Sequence, residues 1–366
     1  MRRFVMDYQT AAMEMVEHIP HPAFCVKEGI IVKANTAALS RFFQTGMSIF
    51  ELLETGNEEY ATFESGVLCL TLSHCRHSMS FCVTRVSDFD LFQLEQDEDS
   101  AELRAMALAA RELREPLASV MVTADRLFPM SGLSDDPVAA EQVSKINRGL
   151  YQMLRVISNM SDASHYATAT AARQEVRDVT AIMDEIFTKT AETIPHSGVT
   201  LEYRSYPEAV YSLVDAEKLE RAILNIIGNA LKFAPKGSTI QASLVKRNQK
   251  LYLSIQNSGT GIARQIRGSM FSRYNREPGL EDGRFGIGLG MVLVRTTAAL
   301  HGGTVLVDEP QENTTRITMT LAIRTRNSAQ VRSPLFSIDY AGERDHCLLE
   351  FSESLPSELY TPDNLH

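Results

Sequence analysis

The chain has 366 residues, 44% of them hydrophobic and 22% charged, and a net charge of -10. That composition suits two or three globular domains, and the acidic balance speaks against nucleic acid as the main partner. No apolar run approaches the roughly 20 residues that span a bilayer, and no apolar core follows Arg2-Arg3 as in a signal peptide, so a cytoplasmic protein without a membrane span is expected. Five cysteines, without framework spacing, fit reduced thiols.

From the N-terminus, Met13 to Ile19 completes a short helix that Pro20 and Pro22 end. Ala23 to Val26 reads as a strand, Lys27-Glu28-Gly29 as a turn, and Ile30 to Val32 as the returning strand. Asn35 and a helical stretch from Thr36 to Phe43 follow. Val67 to Leu72, Met79 to Val86 and Phe89 to Leu94 read as further strands. This order of strand, turn, strand, helices and antiparallel run, over residues 10–96, resembles a PAS sensor domain. Within it, His74-Cys75-Arg76-His77 with Cys69 and Cys82 offers residue types that hold zinc or iron. Their spacing matches no ligand pattern, so a hairpin loop with solvated histidines and core thiols is expected.

Gln96 to Asp99 is an acidic stretch suited to a helix N-terminus. A helix is predicted from Ala101 to about Phe128, interrupted and kinked at Pro116. After a loop from Pro129 to Pro137, a second helix runs from Val138 to Ala163, with Val143, Ile146, Leu150, Met153, Leu154, Ile157 and Met160 at helical spacing. Residues 97–170 thus form an antiparallel hairpin with too much apolar surface to stand alone. Two copies are expected to pair as a four-helix bundle in a homodimer.

Residues 171–325 begin with a strand and helix over Val176 to Glu192 and a strand over Val199 to Tyr203. A helix follows from Asp215 to Phe233, with Leu219, Ile223, Ile226 and Ile227 as its buried stripe. Asn225 and Asn229, four apart, share a face. An amide oxygen such as that of Asn229 is a hard ligand that Mg²⁺ accepts beside phosphate oxygens, and Lys232 is within reach of the same phosphates. Ile240 to Lys246 and Leu251 to Ile255 form a hairpin across Arg247-Asn248-Gln249 and lead into Asn257-Ser258-Gly259-Thr260-Gly261, where glycines permit a close backbone approach. Arg264 to Arg284 is a polar, glycine-bearing lid. Gly286, Gly288 and Gly290 then precede the apolar run Met291 to Leu300, whose opening amides can cradle a polyphosphate. Thr304 to Val307 and Thr315 to Ile323 close the sheet. Each feature alone is commonplace, but together and in this order they suit a nucleoside triphosphate. Beyond Arg324 a polar linker leads to strands over Ser333 to Tyr340 and Cys347 to Phe351. This extension, residues 326–366, is expected to dock on the preceding domain or to bind a partner.

The stretch from Leu219 to Thr304 resembles the ATP-binding domain of sensor histidine kinases, within the wider family of gyrase, Hsp90 and MutL. Asn225 and Asn229 match its N box; Asn257, Gly259 and Gly261 match the first glycine box, usually D-x-G-x-G. Phe271 with Arg273 and Tyr274 matches the F box, Gly286, Gly288 and Gly290 the second glycine box, and His301-Gly302-Gly303 the H-G-G after its helix. The resemblance implies an α/β sandwich that binds ATP with Mg²⁺, inside an α+β multidomain chain. The hairpin likewise resembles the dimerisation and histidine phosphotransfer domain. Arg111-Glu112-Leu113-Arg114-Glu115-Pro116-Leu117 matches the H box, H-E-L-R-T-P-L, with Arg111 where the phosphoacceptor histidine belongs. Phosphoryl transfer there needs an imidazole nitrogen, and a guanidinium has no free lone pair. Glu112, which in the family orients or deprotonates that histidine, is left without its partner. Glu115, at a position usually Thr or Asn, would repel an aspartyl phosphate. Asn257 replaces the adenine-binding Asp, with loss of a charge-assisted bond that is roughly twice as strong as a neutral one. Ile287 replaces a hydroxyl residue beside the phosphates.

The expected protein is therefore a cytoplasmic relative of the two-component histidine kinases that binds ATP and Mg²⁺ but does not phosphorylate itself. It would act as a pseudokinase, in trans on a partner histidine kinase or with a response regulator. Two alternatives stand beside this reading: an active kinase with a non-standard acceptor, His165 being the least poor candidate, and a nucleotide-independent dimerisation and ligand-sensing scaffold.

Overall fold

The computed structural model describes residues 14, 16–86, 89–94, 100–127, 137–167, 174–259, 289–324 and 344–361, with side chains left out at 100–104 and 162–167. The N-terminal hairpin pairs β1 (Ala23–Lys27) with β2 (Ile30–Ala34) through Glu28 and Gly29, both at positive φ. Asn35 is buried and ties together the chain on either side of it. Its Oδ1 accepts from the amides of Ala23 and Ala38, and its Nδ2 donates to the carbonyls of Val16, Ile19 and His21. One side chain thereby caps α1 (Thr36–Ser40) and anchors the segment before β1. That helix is shorter than expected, because Phe42 turns to φ 68 and sends Phe43 back into the core. Two short helices, α2 (Ile49–Leu52) and α3 (Asn57–Ala61), lead to β3 (Val67–His74), β4 (His77–Val86) and β5 (Phe89–Leu94). Phe24 sits at the centre of this unit, stacked on Phe43 and Phe92 with centroids 5.2 and 5.1 Å away.

The hairpin consists of α4 (Ser100–Leu127) and α5 (Pro137–Ala167). The predicted helix is present, and α4 runs through Pro116 as one helix. Proline forfeits a backbone hydrogen bond there, but Leu117 and Met121 in the adjoining turns are buried in the apolar core shared with α5, which holds the helix together. Ala110, Leu117, Met121 and Ala124 of α4 share that core with Leu150, Tyr151, Leu154 and Ile157 of α5. A second row stays uncovered at a seven-residue spacing: Leu113, Val120 and Leu127 on α4, at 49%, 53% and 66% exposure, and Ile146 and Met153 on α5, at 47% and 55%.

The C-terminal unit contains β6 (Glu175–Asp178), α6 (Val179–Thr193), β7 (Thr200–Arg204), β8 (Tyr211–Val214), α7 (Ala216–Phe233), β9 (Thr239–Arg247), β10 (Lys250–Ser258), α8 (Gly290–Leu300), β11 (Val305–Asp308) and β12 (Thr314–Ala322). Asp178 and Asp215 cap α6 and α7 through side-chain bonds to first-turn amides, each cap contributing about 1 kcal/mol. The short strand β8 was not foreseen; it pairs with β6 in a separate two-stranded ribbon.

Among the described residues the remaining strands form one continuous ten-stranded sheet, in the order β2-β1-β5-β4-β3-β11-β12-β10-β9-β7. The N-terminal and C-terminal units therefore share a sheet, joined where β3 pairs antiparallel with β11, Leu68 opposite Leu306. Close approach at this joint needs two glycines. A Cβ on Gly66 would lie 2.1 Å from the Val307 carbonyl oxygen, and one on Gly56 would lie 2.8 Å from Thr304. Glu59 of α3 reaches Lys250 with both oxygens at 2.7 Å, and Glu58 accepts from Asn248. The β3–β4 hairpin spreads out the His/Cys group: Cys69 and Cys82 are opposite each other across the ladder and are buried, whereas Cys75 is exposed in the turn.

In the C-terminal extension, Cys347–Phe351 is not the expected strand. His346–Glu350 is a short helix, α9, capped by Asp345. Cys347, Leu348, Leu349 and Phe351 are all buried, so the alternation of a half-exposed strand is absent. Ser333–Tyr340 lies outside the described residues. Among the described residues no helix is long and apolar enough to cross a membrane.

Candidate functional site

The apolar face of α7 lies on the sheet through Leu219, Ile223, Ile226 and Ile227, which turns its Asn residues toward α8. Asn225 is buried, and its Nδ2 donates to the Arg221 carbonyl at 2.9 Å, one turn back. That bond fixes Oδ1 against the start of α8, where a Cβ on Gly290 would lie only 2.6 Å from it. Asn229, one turn further on, meets the same helix, its Nδ2 lying 3.1 Å from Met291 Sδ. Leu289, the N-cap residue of α8, provides no side-chain bond to the first-turn amides.

At the end of β10, Asn257 is buried and its Nδ2 donates to the Ser258 carbonyl, which leaves Oδ1 as the accepting end of the amide. Two residues on, a Cβ at position 259 would stand 2.2 Å from the carbonyl oxygen of Phe233, the last residue of α7. Gly259 is thus required for the end of β10 to touch the end of α7. The structure brings Asn225, Asn229, Asn257, Gly259 and Gly290 together with α7 as their common wall. Gly261, Phe271, Arg273, Tyr274, Gly286, Ile287 and Gly288 lie outside the described residues. Arg111 and Glu112 are not part of this group; both are exposed on α4. His165 belongs to α5, with its side chain outside the described part.

Lys232 is placed beside the Asn pair, but its Nζ forms an ion pair with Glu353 at 3.1 Å. Sequence reasoning missed this partner, which lies 121 residues away in a segment with no recognisable motif. It also assigned no task to His301, which is buried and bonded at both ring nitrogens. Nδ1 donates to the Thr297 carbonyl at 2.7 Å, and Nε2 accepts from the Asp215 amide at 3.0 Å. His301 thereby ties the end of α8 to the N-cap of α7. Gly302, at φ 68, ends α8, and a Cβ on Gly303 would fall 1.7 Å from the Thr320 carbonyl oxygen.

Burial holds the His301 pKa below the ordinary histidine value. A group whose folded pKa is depressed stabilises the fold above its unfolded pKa, and that stability falls as pH drops toward the folded value. Wild-type stability is therefore expected to decline from about pH 6.5 downward. His301→Gln is expected to lose about 1–3 kcal/mol at pH 7.5 and to flatten that acid limb. Urea unfolding of both proteins between pH 5 and 8 checks this, and an unchanged slope in the variant would assign the limb to other groups.

Residues 214–325 match the family described as histidine kinase-, DNA gyrase B-, and HSP90-like ATPase. The sensor protein KdpD of Clostridium acetobutylicum is 25% identical over 228 residues, which are 60% of this chain and 25% of that protein. The adaptive-response sensory kinase SasA of Gloeothece citriformis is 26% identical over 240 residues, covering 61% of this chain and 60% of its own. The chain thus spans about a quarter of the length of KdpD. Among solved structures, full-length ShkA in complex with AMPPNP aligns with a TM-score of 0.49 and 19% identity, over 61% of this chain and 47% of that one. Residues 214–325 thus carry the histidine kinase-, DNA gyrase B-, and HSP90-like ATPase domain, and about 60% of the chain is similar to sensor histidine kinases.

Proposed function

We propose that the protein is a cytoplasmic, homodimeric regulator of a two-component system that binds ATP with Mg²⁺ but cannot phosphorylate itself. Residues 10–96 serve as a PAS-type sensor, 97–170 as the dimerising hairpin, 171–325 as the nucleotide-binding domain and 326–366 as an extension. The observation that carries this reading is a contrast. Gly290 still stands close against the Asn225 amide at the start of α8, while the matching position on the hairpin holds an exposed arginine.

ATP phosphates would lie at the start of α8, with Asn229 a ligand of the accompanying Mg²⁺ and Asn257 Oδ1 accepting from the adenine amino group. The uncovered row of Leu113, Val120, Leu127, Ile146 and Met153 supports pairing of two hairpins into a four-helix bundle, because a seven-residue apolar repeat on both helices is the pattern of a bundle seam. With Arg111 in the acceptor place, the site would act on a partner histidine kinase in trans or signal by its nucleotide state, with a response regulator as the other candidate partner. The ion pair that occupies Lys232 favours one rival, a scaffold that works without nucleotide.

Calorimetric titration with MgATP separates the two readings. The wild type is expected to bind, and Asn257→Asp to bind about tenfold tighter, since the restored carboxylate makes a charge-assisted bond. No binding by either protein would leave the scaffold.

A further inference from the structure

The C-terminal segment does more than cover an apolar surface. Tyr360 is buried against Tyr151 of α5, and its hydroxyl donates to the Leu348 carbonyl at 2.7 Å. Asn147, Arg148 and Gln152 of α5 donate to the carbonyls of Tyr360, Ser352 and Glu353. On the other side, His346 meets Glu220 of α7 at 3.0 Å, and Phe351 packs beside Gly228. The segment is thus wedged between the hairpin and the nucleotide-binding unit.

Its two carboxylates sit at the centre of this wedge. Glu350 is only 1% exposed, with Arg155 Nε at 3.1 Å and Arg221 Nε at 3.8 Å. Glu353 bridges Arg155 Nη1 and Lys232 Nζ, both at 3.1 Å. Arg155 belongs to α5, and Arg221 and Lys232 belong to α7, so two acids of the tail hold cations from both units. Buried charges of this kind are costly unless paired, so pulling out one partner exposes the other. Arg221, Asn225, Gly228 and Lys232 form one stripe along α7 at helical spacing. The tail covers this stripe directly beside the Asn225 amide that faces α8.

We propose that residues 344–361 are an internal anionic clamp: Glu353 holds Lys232 in place of a nucleotide phosphate, and Glu350 and Glu353 together bind α7 to the hairpin. This rests on the proposed nucleotide site. Lys232 cannot serve a phosphate and Glu353 fully at once, so ATP and the clamp oppose each other. Such coupling is reciprocal: whatever factor ATP takes from the tail's hold, the tail takes from ATP affinity. ATP binding would thereby loosen the contact between the two units, which gives a chain without a phosphoacceptor a way to report its nucleotide state.

The test uses the full-length wild type and Glu353→Gln, an isosteric change at a partly exposed side chain. Glu353→Asp, one methylene shorter, covers failure of the first variant to fold. Both are titrated with MgATP, and hydrogen exchange of residues 344–361 is followed in the wild type with and without ATP. The expected results are affinity raised about fivefold or more in Glu353→Gln, and faster exchange of the wild-type tail when ATP is added. Equal affinities, or tighter binding with tail exchange unaffected by ATP, overturn the clamp while leaving the nucleotide site standing. Binding by neither protein removes the nucleotide reading, and the competition with it.

Discussion

Arg111→His is expected to turn a chain that takes no label into one that does. Incubated with labelled ATP and Mg²⁺, the variant should carry acid-labile phosphate at residue 111, and the wild type none. Available lone pairs decide the difference. A guanidinium has no free lone pair to offer at neutral pH, because it is protonated and its electrons are delocalised. An exposed imidazole with a pKa near 6.5 is about three-quarters neutral at the same pH, with a nitrogen ready to attack. Arg111 is exposed on α4, so the exchange costs the fold little, within about 0.5 kcal/mol. Glu112 follows directly along the helix and supplies a carboxylate next to the new imidazole in sequence. Acid lability and mass spectrometry of the labelled peptide identify the product. A folded, ATP-binding variant that stays unlabelled would mean that the catalytic approach, and not the acceptor alone, has been lost.

Gly290→Val is expected to abolish nucleotide binding. The new Cβ would start 2.6 Å from Asn225 Oδ1, and Asn225 cannot swing aside because its Nδ2 is held by the Arg221 carbonyl in a buried position. The first turn of α8 must therefore move away from α7, which opens the groove the phosphates would occupy. Overpacking of this kind costs the fold about 1–3 kcal/mol. Loss of ATP affinity by at least about a hundredfold, near 2.7 kcal/mol, is expected on top of it. Gly149→Ala is the matched control: it lies in α5 with nothing within 4 Å of the added carbon, and should leave ATP affinity unchanged. Calorimetry with a thermal melt of each protein separates lost binding from lost fold. Retained affinity in Gly290→Val would place the nucleotide elsewhere.

How much of this was legible differs from element to element. The α7 stripe and its Asn pair were readable because helical periodicity and side-chain chemistry are both local, and the structure puts Asn225 and Asn229 against α8. The β9–β10 hairpin was readable from its alternation, and Asn248 takes a positive φ in the turn. What escaped was non-local. Nothing near Val67 or Val305 announces that β3 and β11 will pair, since both read as ordinary apolar strands. At Pro116 the local penalty is real, but tertiary packing of Leu117 and Met121 keeps the helix continuous. The tail misled because the short apolar run Cys347-Leu348-Leu349 looks alike as a buried strand or a short helix buried all round. Its acids Glu350 and Glu353 acquire meaning only beside Arg155, Arg221 and Lys232, far off in sequence. Of the candidate site, the residues on α7, at the end of β10 and at the start of α8 come together, while the hairpin residues Arg111 and Glu112 stand apart from them.

The central claim, a groove kept for ATP in a molecule with no place to put the phosphoryl group, is tested most directly by one labelling experiment. Purified wild-type protein is incubated with γ-labelled ATP and Mg²⁺, and the chain is assayed for acid-labile phosphate. The account predicts nucleotide retained by the native protein and no phosphohistidine on any residue. Phosphohistidine at His165 or anywhere else on the chain would contradict it.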